Sequence, residues 1–568
     1  MNWLDFLIIA IYLIGFLAMG YFFKNNKNSN DYFLGGKSLG WFPLSLSTMA
    51  TQLSAISFIS APAFVGLKAN GGMKWLTFEF AVPIAMMGIM LFIIPPLYKS
   101  GIVSVYEYLE RRFSKSTRQL ISVVFQISRA LGTGVMVFTM ALIIQAVVGI
   151  SFHYTLIIIS VVTLIYSYQG GMKAVVWGDA IQMIILFLGL IICLVIGYNM
   201  MQDTGAFQGF EPERLQVIDI NNFGVFSGED YGFLPMLIGG LFLYLSYYGT
   251  DQTQAQRLLS AKNEGTIKKL LLANGLLRFP VVLVYCVMGL IIGYLVTNIP
   301  EFYESIENTT KLHYPEEFKS SGIKPDLMIP VFITNYLPNG FIGILMVGII
   351  SAAMSSLSST INSLSAVTIE DFFNSKKEKL SEQKYMFLSK ALVLFWGTVC
   401  ILAAYLFGGS QSTVIELINA ISSLFFGPIL AAFLIAIFLK NVNHIGMNVA
   451  IVVAVVVNLV FKYLPELTYL FSQGEWYAGE VSIHNTLAQL GFQSVPDLFW
   501  IWYNFTGCFI AVIVAVIVSQ LSAKTKPKTL DISCSFNIKQ LVQKESLILM
   551  GFFIFILVFS YFLPQILS

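Results

Sequence analysis

From end to end, the chain alternates apolar runs of membrane-crossing length with short polar connections. Crossing roughly 30 Å of hydrocarbon takes about twenty helical residues at 1.5 Å each. Runs of about that length fall at 3–23, 42–66, 76–98, 120–150, 153–168, 174–200, 233–255, 270–297, 329–365, 385–407, 412–439, 445–464, 497–520 and 544–566. The pattern predicts an all-α polytopic membrane protein of about fourteen transmembrane helices. It leaves no room for a large soluble domain, so residues 1–568 read as one membrane domain. The first run has no basic leader and no small-residue cleavage site before Lys24, and reads as a retained helix rather than a signal peptide.

Charge adds an orientation. Basic residues gather in every second connection: Lys24, Lys27 and Lys37; Lys99, Arg111, Arg112, Lys115 and Arg118; Arg257, Lys262, Lys268 and Lys269; Lys376, Lys377, Lys379 and Lys384; Lys524, Lys526 and Lys528. The connections between them are short or acidic, like those holding Glu211, Glu213, Glu229 and Asp230, or Glu301, Glu304 and Glu307. Positively charged loops stay on the cytoplasmic side. Both termini are therefore expected outside the plasma (inner) membrane.

Composition agrees: 57% of the residues are hydrophobic and 11% charged, where soluble domains carry roughly a quarter. The solvent is lipid. The net charge of +2 marks no nucleic-acid surface, and no obligatory protein partner is evident. Cys193, Cys286, Cys400, Cys508 and Cys534 show neither CxxC nor metal spacing and read as core residues.

Three departures from the apolar pattern carry the chemistry. Glu79, Arg129, Asp179 and Arg278 lie inside spans, where a charge costs about 2.5–3.5 kcal/mol and needs a partner, a cavity or an ion. They are either structural ion pairs or the walls of a polar cavity. The second departure is the run SAAMSSLSSTINS from Ser351 to Ser363. Small residues there serve close helix packing. Yet Ala352, Ser355, Ser356 and Ser359 share one helical face with Ser358 beside it, and such oxygens suit a hard monovalent cation such as sodium. Asp179 stands as a lone carboxylate able to give that ion its counter-charge. The third departure is a pair of interruptions, ATQLSAIS at 50–57 and SYYGTDQ at 246–252, in the second and seventh spans. Breaks in corresponding spans of two halves mark transporter binding sites. Spans two to six and seven to eleven would then be inverted repeats.

These segments, with DYFLGGKSLGW, SVYEYLERRF, QGGMKAVVWGDAIQ and YYGTDQTQAQRLLSAK, resemble the sodium/solute symporter family over nearly the whole chain. The resemblance implies a LeuT-like fold: a first flanking helix at 3–23, five-helix repeats at 42–200 and 233–439, and three C-terminal helices at 445–568. It implies a shared sodium site at Ala50, Leu53, Ala352, Ser355 and Ser356. It further implies a second sodium site, as in sialic acid symporters, at Asp179, Ser355, Ser358 and Ser359. The implied substrate group is Gln52, Ser54, Ser57, Glu79, Arg129, Tyr247, Arg278 and Asn419. Arg129 matches a carboxylate-binding arginine of the sialic acid symporters, whereas Glu79, Arg278 and Asn419 follow the galactose symporters, with Tyr247 at the inner gate. The pocket is thus a hybrid, and a sugar or sugar derivative leads over an organic acid.

The implied activity is sodium-coupled symport, with sodium as coupling ion and no other cofactor. A channel remains a competing class. A sensor would carry a long soluble region beyond Ser568. An enzyme is disfavoured because there is no HExxH or GxSxG motif and His153, His313, His444 and His484 lie apart.

Overall fold

The computed structural model describes residues 1–24, 28–53, 55–203, 210–225, 231–374, 380–405, 414–472, 498–522, 525, 527–528 and 542–567. Lys27, Ser54, Glu229, Asp230, Lys376, Lys377, Lys379, His484, Lys524, Lys526 and Cys534 lie outside these residues.

Hydrocarbon offers the backbone no hydrogen bonds, so a spanning chain must satisfy its own amides within helices. The described residues form no strand; Leu39 and Ala261 make an isolated bridge. The long elements are α1 (Trp3–Phe22), α2 (Trp41–Gln52), α3 (Ala55–Gly66), α4 (Met73–Lys99), α5 (Lys115–Val148), α6 (Phe152–Asp203), α7 (Phe233–Gly249), α8 (Gln252–Leu259), α9 (Glu264–Asn298), α10 (Met328–Tyr336), α11 (Phe341–Thr368), α12 (Glu382–Ala404), α13 (Val414–Phe438), α14 (His444–Ser472), α15 (Trp502–Leu521) and α16 (Lys544–Leu567). Eleven helices among the described residues are long and apolar enough to cross a membrane, and two bent pairs raise this to thirteen. The pairs are α2 with α3, bent by 53°, and α7 with α8, bent by 54°. Both bends fall in the interruptions seen in the sequence.

The 52-residue helix α6 does not run straight. The Tyr166 hydroxyl donates to the Met354 carbonyl at 3.3 Å, and Asp179 accepts from Ser355 at 2.5 Å. On a straight helix Tyr166 and Asp179 would stand about 20 Å apart, too far to reach adjacent residues of α11. The chain turns back at Gly171, whose φ of 56° and ψ of −149° suit glycine alone. This reversal lies between the expected runs 153–168 and 174–200.

Two expectations need correction. The run 329–365 is not one helix: α10 stops at Tyr336, and α11 begins at Phe341 after the helix-breaking residues Pro338, Asn339 and Gly340. Nor are all the counted basic residues loop charges facing water. Arg112, Arg118 and Arg257 are buried. Arg112 donates to the carbonyls of Leu439 and Lys440 just past α13, and Arg118 pairs with Asp371 at 2.6 Å and Glu110 at 2.7 Å.

The serine helix α11 is the centre of the packing, with every residue from Leu345 to Val367 buried. Its N-terminus is held by α1: Asp5 Oδ1 accepts from the backbone amides of Gly340 at 2.7 Å and Gly343 at 2.9 Å. These are donors that a helix start leaves unpaired. Between α3 and α9, glycines allow backbone contact, since a Cβ on Gly289 would meet the Pro62 carbonyl at 2.6 Å.

Gly171 gives the fold a local test. A Cβ there would lie 2.6 Å from the Tyr32 carbonyl, besides requiring a backbone conformation closed to alanine. Gly171→Ala is expected to cost at least about 1–3 kcal/mol, seen as a lower unfolding temperature in detergent. Gly15→Ala, with nothing within 4 Å of the new methyl, is the control and should not fall.

Candidate functional site

The break between α2 and α3 opens the site. Helix α2 ends at Gln52, and Leu53 follows at φ −83° and ψ 71°, out of helical conformation. Carbonyls at such an end lose their helical partners and become available to other donors or cations. Thr51 shows this, its carbonyl accepting from the Tyr247 hydroxyl at 3.1 Å.

Beside the break lies a cavity of about 90 Å³. That is room for roughly half a dozen water-sized positions. Its polar wall is made by Gln52, Ser57, Glu79, Arg278 and Asn419, and its aromatic wall by Trp75, Phe78 and Tyr285. Five of the eight expected substrate residues thus share one cavity. Glu79 and Arg278 form a two-point ion pair, Nε to Oε2 at 2.6 Å and Nη2 to Oε1 at 3.1 Å. Tyr244 adds its hydroxyl to Glu79 at 3.0 Å. The cavity wall is formally neutral. Gln52 Oε1 is buried without a hydrogen-bond partner among the described residues, leaving an acceptor for a ligand donor. Asn419 spends one donor on its own helix, at the Ile415 carbonyl.

Arg129 and Tyr247 are not in this wall. Arg129 pairs with Asp251 at 2.6 Å and stacks 4.8 Å from the Tyr247 ring centroid and 5.3 Å from that of Phe426. Its charge is already balanced. Asp251 holds two things at once, since it also caps the start of α8 through the Thr253 amide at 2.8 Å.

Asp179 is not the lone carboxylate the sequence suggested. It is fully buried between α6 and α11, accepting from Ser355 at 2.5 Å, Ser47 at 2.6 Å and Ser359 at 3.4 Å. Arg257 reaches in from α8 and pairs with it at 2.7 Å. The same guanidinium donates to Ser47 at 2.7 Å and to Ser359 and the Thr253 carbonyl. A carboxylate this deep needs a cation, and the nearest one stands on a short helix that the sequence reading assigned to a loop.

The remaining hydroxyls of α11 divide. Those of Ser351, Ser358 and Ser363 donate to carbonyls of their own helix, the packing role expected of serine in membrane helices. Ser356 differs, because its hydroxyl is buried with no hydrogen-bond partner among the described residues. Ala50, Leu53 and Ala352 are buried as well, and α11 packs against both α2 and α3.

Sequence reasoning missed Ser47, Tyr244, Asp251 and Arg257. A signal existed for two of them. Asp251 and Arg257 lie inside GTDQTQAQR, a polar stretch too close to the apolar α7 to be a free loop. Tyr244, three residues before the expected gate tyrosine, looks like any core aromatic.

A profile of the sodium:solute symporter family matches residues 32–454. The chain is 27% identical over 559 residues to the sodium-coupled monocarboxylate transporter 1 of Xenopus laevis, covering 92% of this chain and 86% of that protein. It is 28% identical over 476 residues to the sodium/sialic acid symporter NanT of Aliivibrio fischeri, covering 82% and 89%. Among solved structures, a Na+-coupled sialic acid symporter in a substrate-bound outward-open state matches with a TM-score of 0.72 at 22% identity. That match covers 93% of this chain and 100% of that one, a likeness of fold.

The Glu79–Arg278 pair yields a prediction from its burial. Arg278→Met leaves Glu79 charged with only the Tyr244 hydroxyl and no counter-charge, and is expected to destabilise the protein by about 3–5 kcal/mol. Removing both charges in Glu79→Gln/Arg278→Met should cost clearly less than the single change. Thermal unfolding in detergent checks this; a double variant no better than the single would show the pair to be uncoupled.

Proposed function

The chain belongs to the sodium:solute symporter family, and on that premise we propose that it carries a small uncharged polar solute, a sugar or sugar derivative, by alternating access with two sodium ions. One observation carries the choice of solute: both arginines expected to face substrate are already neutralised, Arg129 by Asp251 and Arg278 by Glu79. A carboxylate entering the cavity would bring a charge without a counter-charge into a region where charge is expensive. A hydroxylated solute would instead exchange hydrogen bonds with Gln52, Ser57, Glu79, Arg278 and Asn419. Ser54 completes the proposed group, with Arg129 and Tyr247 beside it. The second reading is a small organic acid. It is favoured by the monocarboxylate and sialic acid names of the relatives, and it requires an arginine to exchange its internal carboxylate for that of the substrate.

The proposed shared sodium site takes the carbonyls of Ala50, Leu53 and Ala352 and the hydroxyls of Ser355 and Ser356. The unpartnered Ser356 hydroxyl supports it, since a buried oxygen without a donor favours a cation. The proposed second site is Asp179 with Ser355, Ser358 and Ser359. Sodium at the first site would tie α11 to the broken end of α2, favouring the substrate-competent state by differential binding. In this scheme the bent pairs α2/α3 and α7/α8 open inverted five-helix repeats.

Uptake into proteoliposomes under an inward sodium gradient, with hexoses, sialic acids and monocarboxylates supplied in turn, tests the solute. Sodium-driven accumulation of a sugar is expected. Accumulation of acids alone would replace the sugar reading with the second one, and equal fluxes with and without sodium would overturn symport. Ser356→Ala tests the ion site separately. Losing one oxygen to a cation, worth about 1.5–3 kcal/mol, should raise the half-saturating sodium concentration roughly tenfold to a hundredfold.

A further inference from the structure

Arg257 sits where the proposed second ion would be. Its guanidinium contacts Asp179, Ser47 and Ser359, so it already uses the carboxylate and one of the three hydroxyls assigned to that ion. Only 1% of its surface is exposed, and Asp179 has none. The pair is formally neutral. A sodium ion added beside it would leave one uncompensated positive charge in a fully buried pocket, with two cations facing one carboxylate. Arg257 also rides on α8, an eight-residue helix joined to α7 across a 54° bend, whereas Asp179 and Ser359 belong to the long helices α6 and α11. The guanidinium is therefore carried by an element attached through a joint, and its carboxylate is not.

We propose that Arg257 is a tethered cation that occupies the Asp179 site in the absence of sodium, and that sodium binds there only as α8 withdraws the guanidinium. This rests on the reading of Asp179 as part of a sodium site and adds a regulator to it. The consequence is competition. The apparent affinity of a site that is open in only a fraction of molecules is reduced by that fraction. Removing the competitor should therefore strengthen sodium binding. A merely structural role predicts the reverse, because damage to the pocket weakens the ion. Withdrawal of Arg257 would also free α8, whose capping residue Asp251 holds Arg129, so sodium binding at Asp179 would be felt at Arg129.

The test is sodium-dependent thermal stabilisation of the purified full-length protein, together with sodium-dependent uptake. Arg257→Gln is expected to lower the half-saturating sodium concentration by roughly tenfold, the factor recovered if the native site is open in about a tenth of the molecules. Its unfolding temperature should depend on sodium more steeply than that of the native protein, because the ion replaces a missing counter-charge. If Arg257→Gln does not fold, Arg257→Lys keeps the charge but cannot hold Ser47, Asp179 and Ser359 together with one ammonium. It should then show a gain of roughly two- to threefold. An unchanged or weakened sodium affinity in the variant that folds overturns the proposal. Asp179→Asn separates this failure from failure of the underlying reading. If it leaves the sodium Hill coefficient unchanged, Asp179 holds no coupled ion and both fall. If it lowers the coefficient while Arg257→Gln gains no affinity, only the tethered-cation proposal falls.

Discussion

Charge neutrality in a medium that cannot solvate charge organises the interior of this protein. Glu79 with Arg278, Arg129 with Asp251, and Asp179 with Arg257 each join helices distant in sequence: α4 to α9, α5 to the α7/α8 joint, and α6 to α8. Such pairs add little net stability over apolar packing, because desolvation offsets most of the attraction. Their effect is on specificity. Any arrangement that separates one of them leaves a charge stranded in a low-dielectric interior, so the set of tolerated helix arrangements is small. A transporter needs at least two such arrangements, and each must keep every charge partnered, by a side chain, a substrate or an ion.

Backbone groups obey the same constraint. A helix break inside a membrane is tolerated where it lines a cavity or is covered by other polar groups. Both breaks here meet that condition. The end of α2 turns its Thr51 carbonyl to the Tyr247 hydroxyl and borders the cavity, while the start of α8 is capped by Asp251. The Asp5 carboxylate at the start of α11 is a further instance, as is the Tyr32 hydroxyl, which donates to the Ser167 carbonyl at 3.4 Å and the Tyr168 carbonyl at 3.3 Å just before the reversal at Gly171. Side chains that look like isolated polar substitutions are completing an interrupted backbone, next to themselves in the case of Asp251 and on a distant element in the case of Asp5.

This explains which parts could be read from the sequence. The all-helical, membrane-crossing character follows from runs of apolar residues, a local property, and the bends at 50–57 and 246–252 were visible because polar residues broke those runs. The division of 153–168 from 174–200 was also local, carried by Gly170, Gly171 and Lys173. Pairing is not local. Nothing in the neighbourhood of Asp179 announces Arg257, 78 residues away, and a rule that counts basic residues as cytoplasmic loop charges removes Arg257 from consideration. Arg118 was miscounted for the same reason. The polar cavity wall was half legible: Glu79 and Arg278 were recognisable as intramembrane charges, but that each neutralises the other could be seen only once α4 and α9 were packed together.

The pairing also constrains how solute and ion are coupled. In the cavity the polar wall is neutral without a ligand, so an uncharged solute enters and leaves with no change in charge balance. At Asp179 the balance is held by Arg257, a side chain on a helix joined across a bend, which under the tethered-cation proposal an arriving cation would displace. On the proposed assignment, the solute cavity would be electrically indifferent to occupancy, whereas the Asp179 site would not. Helix α8 carries Arg257 at Asp179 and is capped by Asp251, the partner of Arg129, which lies outside the cavity wall, so in the proposed scheme a shift in the charge balance at one end of this helix would be felt at its other end. In that scheme coupling would need no contact between sodium and solute, only a short helix with one charge at each end.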